Sequence, residues 1–158
     1  MWALPLEGDG SPELVLKTES SLREPQMSPG GRWLAYMSDE SGRYEVYVEP
    51  FRQAGERVRV SPGGGSQPRW RGDEKELFYL SPDRRLMAVD VREGASGPEV
   101  GMPTVLVPAA ALRVVVQESR LGDYAVTADG QRFLVKTRVE ADDGQRIHVL
   151  LNWASLLE

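Results

Sequence analysis

The sequence predicts an all-β chain that forms a partial β-propeller, with about three blades of four antiparallel strands. Three observations predict it: a strand–turn–strand unit that recurs three times, second strands that are apolar almost without a break, and short polar segments rich in turn formers between the strands.

Residues 27–36, 70–79 and 126–135 align without gaps, 43 residues apart between the first two copies and 56 between the last two. In each, a short strand ends at Met27, Trp70 or Val126, a turn follows, and a second strand is centred on Leu34, Leu77 or Phe133. The turns Ser28-Pro29-Gly30-Gly31 and Thr127-Ala128-Asp129-Gly130 pair a hydroxyl that can bond nearby backbone with a glycine that takes positive φ without a Cβ clash. The middle copy, Arg71-Gly72-Asp73-Glu74-Lys75, lacks the hydroxyl, and its glycine is displaced. Third strands are expected at residues 44–48, 86–91 and 147–151, and fourth strands at 56–60 and 104–107. The links at 39–43, 81–85 and 139–146 are polar.

The second strands decide the architecture. Residues 33–37 and 77–80 are almost wholly apolar where a half-exposed strand would alternate, so both faces should be covered. Stacked propeller blades provide such cover. A β-sandwich explains short strands equally well but predicts neither the repeat nor two-sided burial. Tyr36 and Tyr79 then read as core residues between blades.

Upstream, residues 2–6 match 47–51 at an offset of 45 and read as a third strand, with a fourth at 13–17. The tally is two, four, four and three strands, over residues 1–18, 24–61, 66–107 and 123–153. Residues 108–122 account for the longer second spacing, and 112–116 suit an additional edge strand or part of a connection. Closed propellers usually need at least four blades. The expectation is therefore a piece of a longer polypeptide; the alternatives are a homodimer joined through free blade edges, or an open arc.

Composition narrows the function. The 158 residues include 41% apolar and 27% charged side chains and no cysteine, which suits a globular core and excludes a disulfide scaffold. A net charge of -5 argues against nucleic acid as the main partner. No apolar run approaches the roughly 18–20 residues that span a bilayer as a helix.

The run from Ser28 to Val48, with Gly64-Gly65-Ser66-Gln67-Pro68-Arg69-Trp70, residues 76–83, residues 127–135 and the terminal Val149-Leu150-Leu151-Asn152-Trp153, resembles the TolB-type, WD-like β-propeller repeat, whose turn is written Ser-Pro-Asp-Gly. In this order the elements are similar to the C-terminal end of the propeller carried by many bacterial membrane-anchored serine/threonine protein kinases. Two departures stand out: Gly30 replaces the pattern's Asp, and the middle copy lacks both Ser and Gly at the expected turn positions. The resemblance implies a scaffold and interaction surface, periplasmic or otherwise extracytoplasmic if the parent is such a kinase.

No nucleophile elbow, zinc-protease, Walker or kinase catalytic motif occurs, so the chain reads as non-catalytic, with no cofactor and no metal site. His148 is the single histidine, set in an apolar strand where packing outweighs catalysis as an explanation. Gly63-Gly64-Gly65-Ser66 lacks the lysine and helix of a phosphate cradle and reads as a turn between blades. Asp39-Glu40 and Asp142-Asp143 read as solvated turn charges. A binding face would use loops at one end of the blades, residues 20–24, 38–43, 62–67 and 81–85, with Asp39, Arg43, Gln67 and Arg69 as candidate contacts for a protein or small ligand. Alternatives are a propeller-borne hydrolase or lyase, the non-catalytic propeller of a prolyl-oligopeptidase-like peptidase, and a self-associating half-propeller.

Two-sided burial has a measurable consequence. Leu77→Ala should lower the unfolding free energy by about 2–5 kcal/mol in urea titrations, whereas a half-exposed position would lose far less.

Overall fold

A computed structural model describes residues 1–6, 10–108, 123–137 and 146–151, the last strand by its backbone. The expected edge strand at 112–116, the turn carboxylates Asp142 and Asp143, and Asn152-Trp153 lie outside the described residues. Within them the chain is all strand and turn, arranged as small antiparallel sheets.

The first sheet pairs β1 (Trp2–Ala3) with β2 (Glu13–Leu14). The second is the meander β3 (Leu22–Met27), β4 (Trp33–Ser38), β5 (Glu45–Pro50) and β6 (Val58–Arg59). The third contains β7 (Ser66–Trp70), β8 (Glu76–Leu80), β9 (Leu86–Glu93), β10 (Pro98–Val100) and β11 (Thr104–Val107). The fourth joins β12 (Tyr124–Val126), β13 (Arg132–Thr137) and β14 (Arg146–Leu151).

One element differs from expectation. The third sheet has five strands because β9, at eight residues, outruns β8. Its overhanging end, Val91 to Glu93, pairs with β10, and its first part, Leu86 to Ala88, pairs with β11. The fourth-strand position is thus held by two consecutive pieces. Gly101-Met102-Pro103 separates them, and Pro103 has no N–H to offer the ladder.

All six residues of β4 and four of the five in β8 are buried, as their apolar runs require. Successive side chains enter different seams. Leu34 and Tyr36 pack toward the first sheet, with Tyr47, Met1, Val15, Leu16 and Phe51. Trp33 and Ala35 meet Trp70, Leu77 and Tyr79 between the second and third sheets. Phe78 and Leu80 meet Tyr124, Phe133 and Val135 between the third and fourth, where Phe78 and Phe133 make an edge-to-face pair with centroids 5.0 Å apart. β3 lies against β7, and β7 against β12, so first strands neighbour first strands.

The three hairpin turns share one geometry. The N–H of Gly31, Glu74 and Gly130 donates to the carbonyl of Ser28, Arg71 and Thr127 at 2.8, 3.0 and 2.9 Å. The expected hydroxyls act as expected, with Ser28 Oγ accepting the Trp33 N–H and Thr127 Oγ1 accepting that of Arg132. At the left-handed position Gly31 and Gly130 both have φ of 73°, and Glu74 adopts 63°. A side chain there is normally unfavourable by about 1–2 kcal/mol.

The buried Glu74 carboxylate explains its presence. It reaches back to the preceding turn, accepting from the Gly30 N–H and from Arg32 Nε at 2.9 Å. Burial by itself would raise its pKa, but the bonds from Ser28, Gly30 and Arg32 outweigh burial and hold it below the ordinary glutamate value. A Cβ on Gly30 would lie 2.7 Å from that carboxylate. Gly30 in place of Asp and Glu74 in place of Gly are therefore one feature, since the second side chain fills the space the first leaves. The next pair of turns is joined more simply, by the Gly72 N–H donating to the Ala128 carbonyl at 2.8 Å.

This exchange predicts coupling. Gly30→Asp and Glu74→Gly should each change stability by an amount that fails to add in the double variant, which restores the repeat's turn pattern. A double-mutant cycle in urea should give a favourable coupling of about 1–3 kcal/mol; additive effects would mean the two positions are independent.

Candidate functional site

The polar cluster with the clearest construction lies on the first strands, where the repeat register sets Glu24, Gln67 and Asp123 in one column. The next column holds Pro25, Pro68 and Tyr124. Proline cannot donate to the ladder, and the pairings of β3 with β4 and of β7 with β8 each shift register around it. Glu24 and Gln67 sit in these bulges with φ of 49° and 56°, a costly backbone state for residues other than glycine. β12 has Tyr124 instead and pairs regularly with β13.

The bulges direct the column across the seams. Gln67 Oε1 accepts the backbone N–H of Asp123 at 2.7 Å, and Gln67 Nε2 donates to Asp123 Oδ2 at 2.8 Å. Tyr124 completes the seam by donating its hydroxyl to the Gln67 carbonyl at 2.8 Å. Burial pushes the Tyr124 pKa far above the usual phenol range, so the hydroxyl remains a donor. One seam earlier Glu24 holds the equivalent place, its carboxylate facing the backbone N–H of Gln67, which draws its pKa down. Each blade thus presents a side chain to the backbone of the equivalent residue in the next.

Of the residues expected from sequence, the structure brings Gln67 and Arg69 to this column. Arg69 lies over the Tyr124 ring, 5.8 Å from its centroid, and its charge acts on Glu24. Asp39 and Arg43 are elsewhere, in the β4–β5 loop. Asp39 Oδ1 accepts the Ser21 N–H at 2.9 Å, and the mostly exposed Arg43 lies 3.9 Å from the buried Glu45 carboxylate. No hydrogen bond or ion pair among the described residues links Asp39 or Arg43 to Gln67 or Arg69. Asp39, Arg43 and Gln67 nevertheless lie at the same end of the sheets, because Leu22, Ser38 and Glu45 are register partners, as are Ser66, Leu80 and Leu86, whereas Arg69 pairs with Phe78 at the middle of β8. The loops there touch: Gly65 donates to the Tyr44 carbonyl, and Gly64 lies against Pro82.

Asp123, and Glu24 beyond its place at the end of a loop, were not singled out from sequence. The signal was present, because carrying the repeat offsets three residues upstream of Met27 gives Glu24, Gln67 and Asp123. Glu40 pairs with Arg57 at 2.8 Å, and the backbone of His148 pairs with Val135. Among the described residues no group of three or more His, Cys, Asp or Glu side chains is arranged to hold a metal ion.

Blades of antiparallel strands joined seam to seam define the class: a β-propeller segment. No family model and no curated protein matches the chain. Among solved structures it is similar to an oligogalacturonate lyase from Vibrio parahaemolyticus, with a TM-score of 0.54 and 16% identity, over 86% of this chain and 35% of the lyase. It is also matched to TolB from Acinetobacter baumannii, with a TM-score of 0.39 and 13% identity, over 91% of this chain and 44% of TolB. The chain thus spans well under half of either protein, and at such identities the lyase likeness shows the fold alone.

The seam geometry makes Gln67 a sensitive position. Gln67→Ala would leave the buried Asp123 N–H and carboxylate short of partners, and unfolding in urea should show a loss of about 1–3 kcal/mol. A loss below about 0.5 kcal/mol would mean that water replaces the amide without penalty.

Proposed function

We propose that this chain is a non-catalytic β-propeller segment serving as an interaction scaffold. It engages a protein or small ligand through the end of the sheets that carries loops 20–24, 38–43, 62–67 and 81–85. It forms the C-terminal sensor portion of a larger bacterial signalling protein, such as a membrane-anchored serine/threonine kinase.

One observation carries the scaffold reading. Both polar ends of Gln67 and one oxygen of Asp123 hold adjacent blades together, so these polar groups serve the seam. The loops at the same end offer exposed, chemically varied side chains on a buried framework, which is where binding groups usually collect. The kinase assignment rests on the repeat motifs and their order in the sequence.

The reading predicts no turnover of oligogalacturonate, measured by absorbance of an unsaturated product, and none of peptide or ester substrates. Turnover above buffer that disappears in Asp123→Asn or Arg69→Ala, with folding retained by circular dichroism, would replace the scaffold with an enzyme.

A further inference from the structure

The column is uniform in its backbone bonds but not in its charge. At Gln67 both ends of a neutral amide are matched. At the equivalent Glu24 a carboxylate is used, and its Oε2 is fully buried with no hydrogen-bond partner. The groups facing it are the Arg69 guanidinium and the Gln67 N–H on β7, Asp123 just before β12, and Arg23 on its own strand. A buried acceptor without a donor is costly, and a second carboxylate nearby adds to the cost.

We propose that the Glu24 seam is a latch that tightens in mild acid: Glu24 takes up a proton, the cost of holding charge at the buried, donorless Oε2 is relieved together with the lesser repulsion from Asp123, and the blades of residues 24–61 and 66–107 hold together more firmly. The sealed position of Oε2 favours a proton over a hydrated cation, which needs room and further ligands. Protonation also gives Glu24 the neutral character that Gln67 already has. Burial is the main force raising the Glu24 pKa, and Asp123 adds to it, while Arg69, the Gln67 N–H and Arg23 oppose the shift without overcoming it.

The direction follows from linkage. A carboxyl whose pKa is higher in the folded than in the unfolded chain favours folding most below its ordinary value, 4.5, and this contribution is lost as pH rises through the elevated folded value. The seam is therefore tightest in mild acid and looser at neutral pH. Glu49 and Glu76 shift the same way, so the wild-type profile alone does not isolate Glu24. Asp73, Glu74 and Asp129 are lowered and act below this window. This latch stands apart from the scaffold reading, since it concerns cohesion between blades whatever they bind.

Thermal unfolding of wild type and Glu24→Gln at about pH 7.5 and about pH 5.5 tests it. The variant should be the more stable at the higher pH, and its gain on acidification should be smaller than that of wild type by about 2–4 °C. Parallel pH profiles would overturn the proposal. If the variant does not fold, carbon-detected NMR titration of the wild-type Glu24 carboxyl decides. A midpoint above that of free glutamate, with rising protection of the Gln67 amide as Glu24 protonates, supports the latch; a midpoint at or below it overturns the latch.

Discussion

The middle strands β4 and β8 are apolar on both faces, and the fold depends on sheet meeting sheet through seams that cover both. β4 divides its side chains between the seam with the first sheet and the seam with the third, and β8 divides its own between the second and fourth sheets. A blade without neighbours would expose Tyr36 and Trp33 on opposite faces at once. The stabilising unit is therefore the pair of adjacent blades, as in other repeat architectures where nearest-neighbour interfaces supply much of the stability.

Apolar packing is not directional, so it does not by itself hold neighbouring sheets in register. Polar bonds at the two ends of the seams supply that constraint. At one end, Gln67 spans to Asp123 and Glu24 to Gln67. At the other, Glu74 bonds the preceding hairpin turn and Gly72 bonds the following one. The first set uses positions that recur with the repeat and fills them with different side chains, whereas the turns are joined by a carboxylate at one seam and by backbone alone at the next. The exchange of Asp and Gly for Gly30 and Glu74 shows how far the chemistry varies while turn geometry stays constant.

This arrangement separates the groups that hold blades together from the exposed loops. The seam residues on the first strands are buried or half-buried and bonded to the next blade, whereas the loops at that end expose side chains such as Arg43 on a framework that does not depend on them. Exposed loop side chains such as Arg43 can change with little effect on the seams. Propellers carry many different functions on one framework.

Much of the fold was legible in the sequence. The repeat offsets located the strands, the apolar runs at residues 33–37 and 77–80 required cover on both faces, and Ser28 and Thr127 marked hairpin turns. These features are local: a strand's period, a turn's hydroxyl and a glycine's freedom act within a few residues. The broken fourth strand of the third sheet was not legible, because it depends on how far β9 extends beyond β8. The partners of Gln67 and Glu74 were likewise hidden, since they lie 56 and 44 residues away, on other blades. Sequence by itself determined which segments are strands and which faces must be buried. Only the tertiary structure decided which polar groups meet across a seam, because those contacts arise when blades that are separate along the chain pack side by side.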